Sequence, residues 1–403
     1  MALCDVNELS DYTDFYYGDK KGGLKPALKI VENHYGEQKK TGAYKGCAEY
    51  IDFYRMLEEE KDIDAVLIAT PDHIHAVACM AAIKKKKHIY CEKPLTRTIY
   101  ESRVITEAAR QAGVATQMGN HGHSGEGIRL TVEWIQAGAI GPVREVHAWT
   151  EAGGEWTDMS SRPEQTPPVP STLDWDKWLG PAPYRPYHPA YVPYRWRGWW
   201  DFGTGAIGDM ACHNVDPAFW AMKLICATSF TVEASSTDLN EETIPKAGIY
   251  RYKFPARGQM PPVTFTWYNG GLMPPRPEEL EEGREMESNG VYFVGDKGVI
   301  KCPGWGGAPR IIPETKMQAY KRPPKSLPRA KEHHQDWLQA CKTGNPACSN
   351  FDYAGPLTEM VLLGNVALRT GKKLQWDCPK MKAVNAPEAD KYIRPTYRQG
   401  WSL

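Results

Sequence analysis

The sequence predicts a two-part chain: a doubly wound α/β domain with a parallel sheet over residues 1–125, then an α+β domain with an open, mainly antiparallel sheet over 126–403. Strand and helix patterns alternate with tight connections up to residue 118. Several strand patterns then recur between 229 and 302, with little helical periodicity among them. At 403 residues, the chain is long enough to bury sizeable cores without disulfides or a structural metal.

Ala2 to Val6 is a short, mostly apolar strand with an acid, Asp5, near its end. A polar, aromatic, glycine-bearing loop runs to Gly23, and Pro26 to Glu37 has helical spacing through Leu28, Ile30, Val31 and Tyr35. Tyr50 to Glu58 reads as a second helix, with Ile51, Tyr54 and Leu57 on one face. Ile63 to Ala69 is a nearly continuous apolar run, the pattern of a parallel strand buried on both faces. Thr70-Pro71-Asp72 ends it, and a helix follows from His75 to Lys84. Then come a strand His88–Cys91, a helix Tyr100–Ala112, a strand Val114–Met118 and a helix Ile128–Ala137. Val143 to Glu151 opens the second sheet, and the stretch 154–200, rich in Pro, Trp and Tyr, has little periodicity. A loop that long is expected to have a role of its own. Strand patterns follow at Ser229–Ala234, Gly248–Tyr252, Val263–Trp267, Gly290–Val294 and Gly298–Cys302, and helices at 331–342 and 354–369 close the chain.

Composition narrows the function. Lys plus Arg and Asp plus Glu are 49 each, so there is no basic excess to suit nucleic acid or an anionic membrane. No apolar run reaches the roughly eighteen residues of a membrane span. No signal peptide is visible, so the chain as written is expected in the cytoplasm, and a start further upstream would leave room for an export signal. None of the ten cysteines forms a C-x-x-C pair, so free thiols are expected rather than a zinc or redox motif.

The segment Asp64-Ala65-Val66-Leu67-Ile68-Ala69-Thr70-Pro71-Asp72-His73-Ile74-His75, followed by Cys91-Glu92-Lys93-Pro94-Leu95, resembles the Gfo/Idh/MocA oxidoreductases. So do Trp196 to Gly205 and Gly208-Asp209-Met210-Ala211-Cys212-His213. The resemblance runs over nearly the whole chain. It implies an NAD(P)-dependent enzyme acting on a sugar, cyclitol or related polyol. It also implies a C-terminal open sheet that serves as a homo-oligomer interface.

Oxidising a secondary alcohol needs a base for the hydroxyl proton and an acceptor for the hydride. Histidine is the usual base near neutrality. Asp209 and His213 are four residues apart, one helical turn on one face, so the carboxylate is placed to orient the imidazole or to sit beside it on the substrate. Lys93 would stabilise a developing alkoxide. The three are the candidate catalytic set, with a non-catalytic helix pair as the alternative for Asp209 and His213. Asp5, Thr70, Pro71, Asp72, His75, Glu92, Lys93 and Asn120 are expected to line the cofactor, and Trp196, Arg197, Trp200 and His213 the substrate. The aromatic stretch from Trp175 to Trp200 reads either as a sugar-stacking wall or as the packing of a long loop. His121-Gly122-His123 reads as a polar loop on the cleft, and no metal is expected.

A nucleotide site of this kind begins with a strand and a Gly-x-Gly-x-x-Gly turn into a helix. The chain has none; Gly22-Gly23 and Gly304-Trp305-Gly306-Gly307 read as turns. The first domain is therefore expected to be an incomplete Rossmann-like sheet that opens at its second strand. Asp5, at the end of that strand, suits the adenosine ribose and favours NAD over NADP. Either the true start lies upstream or the chain is a truncated paralogue. Three functions stay open: a dehydrogenase, an NAD-dependent glycosidase or lyase working through transient sugar oxidation, and a non-catalytic binding module.

Overall fold

The N-terminal strands form where short apolar runs meet tight turns. In the computed structural model, which describes residues 1–15, 20–38, 44–154, 156–330 and 332–403, the parallel strands among them divide into two sheets, and Ser10–Asp11 pairs with Lys21–Gly22 in a small antiparallel ribbon. Strands β1 (Ala2–Cys4) and β2 (Ala48–Tyr50) pair in parallel, accompanied by helices α1 (Leu24–Gln38) and α2 (Phe53–Glu59). Strands β3 (Ala65–Ile68), β4 (His88–Cys91) and β5 (Thr116–Met118) form the second parallel sheet. Helix α3 (Asp72–Lys84) is buried almost all round because Ala76 to Ile83 is apolar on every side and the polar Asp72, His73 and His75 of its first turn find hydrogen-bond partners. Helix α4 (Ile99–Ala112) is set by its ends. The Thr98 hydroxyl and the Glu101 carboxylate cap each other's main chain, and Gly113 closes it with φ 67°. Parts of three expected features, the loop before Gly23, the long stretch from 154 and the helix from 331, fall on 16–19, 155 and 331, outside the described residues.

The division of the sheet corrects two expectations. The run Ile63–Ala69 is not buried on both faces: Leu67 is 57% exposed, and of the strand itself only Ile68 is buried. Only one edge of β3, the one facing β4, has a strand partner among the described residues, so a sequence that reads as a central strand meets water. Tyr50 ends a strand and does not start a helix. Asp52 accepts the N–H groups of Tyr54 and Arg55 and begins α2 there, leaving Ile51 and Tyr54 exposed and Leu57 buried.

Helix α5 (Glu126–Gln136) leads into a nine-stranded sheet. Its strands are β6 (Val143–Thr150), β7 (Ser229–Ser236), β8 (Gly248–Phe254), β9 (Val263–Asn269), β10 (Asn289–Gly295), β11 (Gly298–Pro303), β12 (Arg310–Ile312), β13 (Leu374–Asp377) and β14 (Lys382–Ala383). The order is β12-β11-β10-β6-β9-β8-β7-β13-β14, antiparallel except for β6 with β9. The edge strands β12 and β14, and β13 beside the latter, are too short to show a period in the sequence. Helix α9 (His333–Thr343) packs near β5, and α10 (Phe351–Thr370) ties the two halves together. A Cβ at Gly355 would stand 2.3 Å from Thr106 Oγ1 of α4, and one at Gly364 2.4 Å from Ile207, so both close approaches require glycine.

The stretch 154–200 builds its own small core. Trp175, Trp178, Tyr191, Trp196, Trp199 and Phe202 are buried together, with Trp175 and Trp178 stacked at 4.8 Å. His73 pins this core to α3, its two ring nitrogens lying 2.9 Å from Trp178 O and 3.3 Å from Phe202 O. The nine described cysteines are free thiols, and the Cys226 side chain lies outside the description. Among the described residues no helix is long and apolar enough to cross a membrane.

Candidate active site

Parallel α/β sheets bind ligands at the carboxyl ends of their strands. There β4 delivers Glu92 and Lys93, and β5 delivers Gly119, Asn120 and His121. From the second half, the one-turn helices α6 (Gly205–Asp209) and α7 (Ala211–Asn214) bring Asp209 and His213, and the turn Arg195–Gly198 brings Arg197.

These residues converge. Lys93 Nζ donates to both Oδ1 and the main-chain O of Asp209, each at 2.9 Å. Arg197 Nε donates to the same Oδ1 at 3.4 Å. The three side chains are each 19% exposed, buried enough to feel one another and open enough to be reached. Burial works against the Asp209 charge, but Lys93 and Arg197 outweigh it and hold the carboxyl down at about 2. Burial likewise works against the Lys93 ammonium, and Asp209 more than restores it.

His213 stands beside this cluster without joining it. Burial, reinforced by Lys93, lowers its pKa to about 3, so the ring is neutral at physiological pH. Its Nδ1 is buried with no hydrogen-bond partner. The expected single-helix pairing with Asp209 is corrected: Met210 separates α6 from α7, and the Asp209 hydrogen bonds go to Lys93 and Arg197.

Other expected site residues are spent on the fold. His75 is 1% exposed, and its ring nitrogens lie 2.8 Å from the carbonyls of Pro94 and Thr70, so it does not face a cofactor. Asn120 is fully buried: its amide donates to Asp216 at 2.9 Å, and its carbonyl accepts from Ser349 at 2.6 Å. Asp216, which opens α8 (Asp216–Ala221), also takes the Tyr353 hydroxyl and lies 2.9 Å from His123 Nδ1, so His123 is structural too. Trp196 and Trp200 are buried, the latter donating to Asn240 O, which corrects their expected place on the substrate. Asp72 is buried under Thr204, whose hydroxyl donates to it at 2.6 Å; burial pushes its carboxyl up to about 7. Thr70 and Pro71 sit half-buried at the start of α3. Asp5 follows β1 and accepts the Asn7 N–H at 2.8 Å. Glu92 stays half-open, and a Cβ at Gly119 would lie 2.2 Å from its Oε2. Among the described residues no group of His, Cys, Asp and Glu is placed to hold a metal ion.

One neighbour of His213 escaped the sequence reading. Trp305, read as part of a turn, is 50% exposed with its ring 6.4 Å from that of His213. Nothing local in Gly304-Trp305-Gly306 signals that a loop 92 residues downstream returns to His213.

Residues 20–120 match the NAD-binding Rossmann fold of the oxidoreductase family, and residues 128–259 and 276–403 its C-terminal alpha/beta domain. The chain belongs to the Gfo/Idh/MocA oxidoreductase family. Levoglucosan dehydrogenase from Pseudarthrobacter phenanthrenivorans is 30% identical over 165 residues, 41% of this chain and 34% of that protein. 2,7-Anhydro-N-acetylneuraminate hydratase from Escherichia coli is 30% identical over 106 residues, 26% of this chain and 28% of that protein. The alignments thus span about a third of these relatives' lengths. The WlbA dehydrogenase from Bordetella pertussis, solved with NADH and UDP-GlcNAcA, shares the fold with a TM-score of 0.57 at 15% identity, covering 92% of this chain and 88% of its own.

Proposed function

We propose that this Gfo/Idh/MocA chain is an NAD-dependent oxidoreductase acting on a secondary hydroxyl of a sugar or polyol. The observation that carries the reading is the Lys93–Asp209–Arg197 cluster beside the neutral, unpartnered His213 at the carboxyl end of β4. His213 takes the hydroxyl proton, and the Lys93 ammonium stabilises the oxygen as negative charge develops. Asp209 holds Lys93 in place and keeps it charged. NAD, when bound, supplies the hydride acceptor, and a nicotinamide suits this end of the cleft because His213 Nδ1 is buried there without a partner. The pyrophosphate end does not suit it equally: the sequence has no Gly-x-Gly-x-x-Gly turn, and β1 is not paired with β3. Asp5 favours NAD over NADP by its place after β1. In this reading residues 1–125 are the nucleotide half, and 126–403 serve substrate binding and homo-oligomer assembly in the cytoplasm.

A second reading has the sugar oxidised only transiently, with elimination and return of the hydride. It is favoured by the relative named as a hydratase, a reaction class with no net redox change. Purified chain incubated with NAD and a panel of pyranosides separates the two. Reduced nicotinamide accumulating in step with oxidised sugar supports the dehydrogenase. Free sugar or eliminated product without net reduced nicotinamide supports the second reading. Neither product from any member of the panel overturns both.

A further inference from the structure

Trp305 is held in a conformation its own side chain disfavours. Its φ is 56°, in the left-handed region that a bulky residue rarely adopts. The main chain around it leaves no other choice. The Trp305 N–H donates to Asn214 Oδ1 at 3.0 Å, and Asn214 adjoins His213 in α7. On the opposite side the loop presses on the turn after β5. A Cβ at Gly122 would stand 2.1 Å from Trp305 O, and one at Gly127 2.3 Å from Gly306 O. The peptide is thus clamped between both halves of the molecule, while the indole itself is 50% exposed. Most of the chain's other tryptophans are buried, Trp149, Trp199 and Trp267 completely. A rigid mount holding a large apolar ring in water beside His213 is arranged to be covered by something other than this chain.

We infer that Trp305 is the stacking platform for the substrate, taking the apolar C–H face of a pyranose or cyclitol ring and presenting one ring hydroxyl to His213. The inference rests on the function proposed above. An indole face suits a ring whose hydroxyls lie mainly equatorial, because its axial C–H bonds then form a flat apolar face. An open-chain polyol has no such face, so ring substrates are preferred over their acyclic counterparts.

The test is saturation-transfer NMR and equilibrium titration of the full chain with methyl β-D-glucopyranoside, myo-inositol and acyclic D-glucitol. The chains compared are wild type, Trp305→Ala, Trp305→Tyr and Lys93→Met. The expected result is strong saturation of axial ring protons in wild type and binding weakened about tenfold in Trp305→Ala. Trp305→Tyr should stay within about threefold of wild type, since its ring keeps most of the stacking face. Lys93→Met should retain ring binding while losing turnover, which separates stacking from chemistry. A Trp305→Ala chain that is folded by circular dichroism and binds rings as wild type does overturns the inference and leaves the proposed function standing. So does equal weakening for glucitol, or no ring binding by wild type. Turnover surviving in Lys93→Met overturns the proposed function instead.

Discussion

The Lys93–Asp209–Arg197 cluster and the β1–β3 seam are opposite in construction. At the cluster, charged groups from three separate segments interlock within 3.4 Å, and the surrounding helices are buried. At the seam, two parallel sheets stop short of each other, and Leu67, Ile51 and Tyr54 face water. The charged cluster of this chain is thus organised by the contact between its two halves rather than by the completeness of the nucleotide sheet. α10, the His73 clamp and the Trp305 loop all strengthen that contact.

The sharpest way to break the comparison is His213→Ala. If the buried neutral imidazole is the base, NAD-linked turnover falls by about 10²–10⁴-fold, measured as reduced nicotinamide formed per minute. Next in size is Asp209→Asn, which leaves Lys93 and Arg197 facing each other. Urea unfolding should show a loss of roughly 2–4 kcal/mol. The pH dependence has a definite sign. Asp209 is held below its ordinary value, so its contribution is present above about pH 4 and is lost as pH falls towards 2. Asp209→Asn should lose that acid-side slope. Core substitutions give a third contrast. Ile89→Ala in β4, fully buried, should cost about 2–5 kcal/mol, whereas Leu67→Ala in β3 should stay within about 1 kcal/mol. Equal costs would mean that the seam is covered in solution.

A smaller effect sharpens the picture of the cluster's surroundings. Asp72 has its carboxyl raised to about 7, so its protonated form suits the folded state. Its stabilising influence is present below its ordinary pKa and is lost as pH rises through 7. Between pH 4 and 7 the wild type should lose up to ~1.4 kcal/mol per pH unit from this group. Asp72→Asn, still able to accept from Thr204, should be flat there in thermal melts followed across that range.

Most of the architecture was legible because apolar periodicity and caps act locally. The strand His88–Cys91 was read to the residue, and α4 and α10 nearly so. The reading of β3 failed because an apolar run reports what a strand would bury, not which neighbours it has. The Lys93–Asp209 contact was legible where residue type and motif agree, since the two residues meet at 2.9 Å. The site was not legible where a polar residue serves the fold. His75, Asn120 and Asp72 look like ligands in a sequence, and their buried hydrogen bonds come from residues 5 to 229 positions away. The aromatic stretch misled for the same reason, since Trp196 and Trp200 are as suited to packing as to sugars. Trp305 was missed because its meaning depends on a tertiary contact with Asn214.

The most direct test of the central claim is turnover of Lys93→Met beside wild type, with melting temperatures measured on the same samples. A fall of about 10³-fold or more, with the melt kept within a few degrees, is the predicted result. A variant that melts like wild type and turns over within tenfold of it would contradict the account.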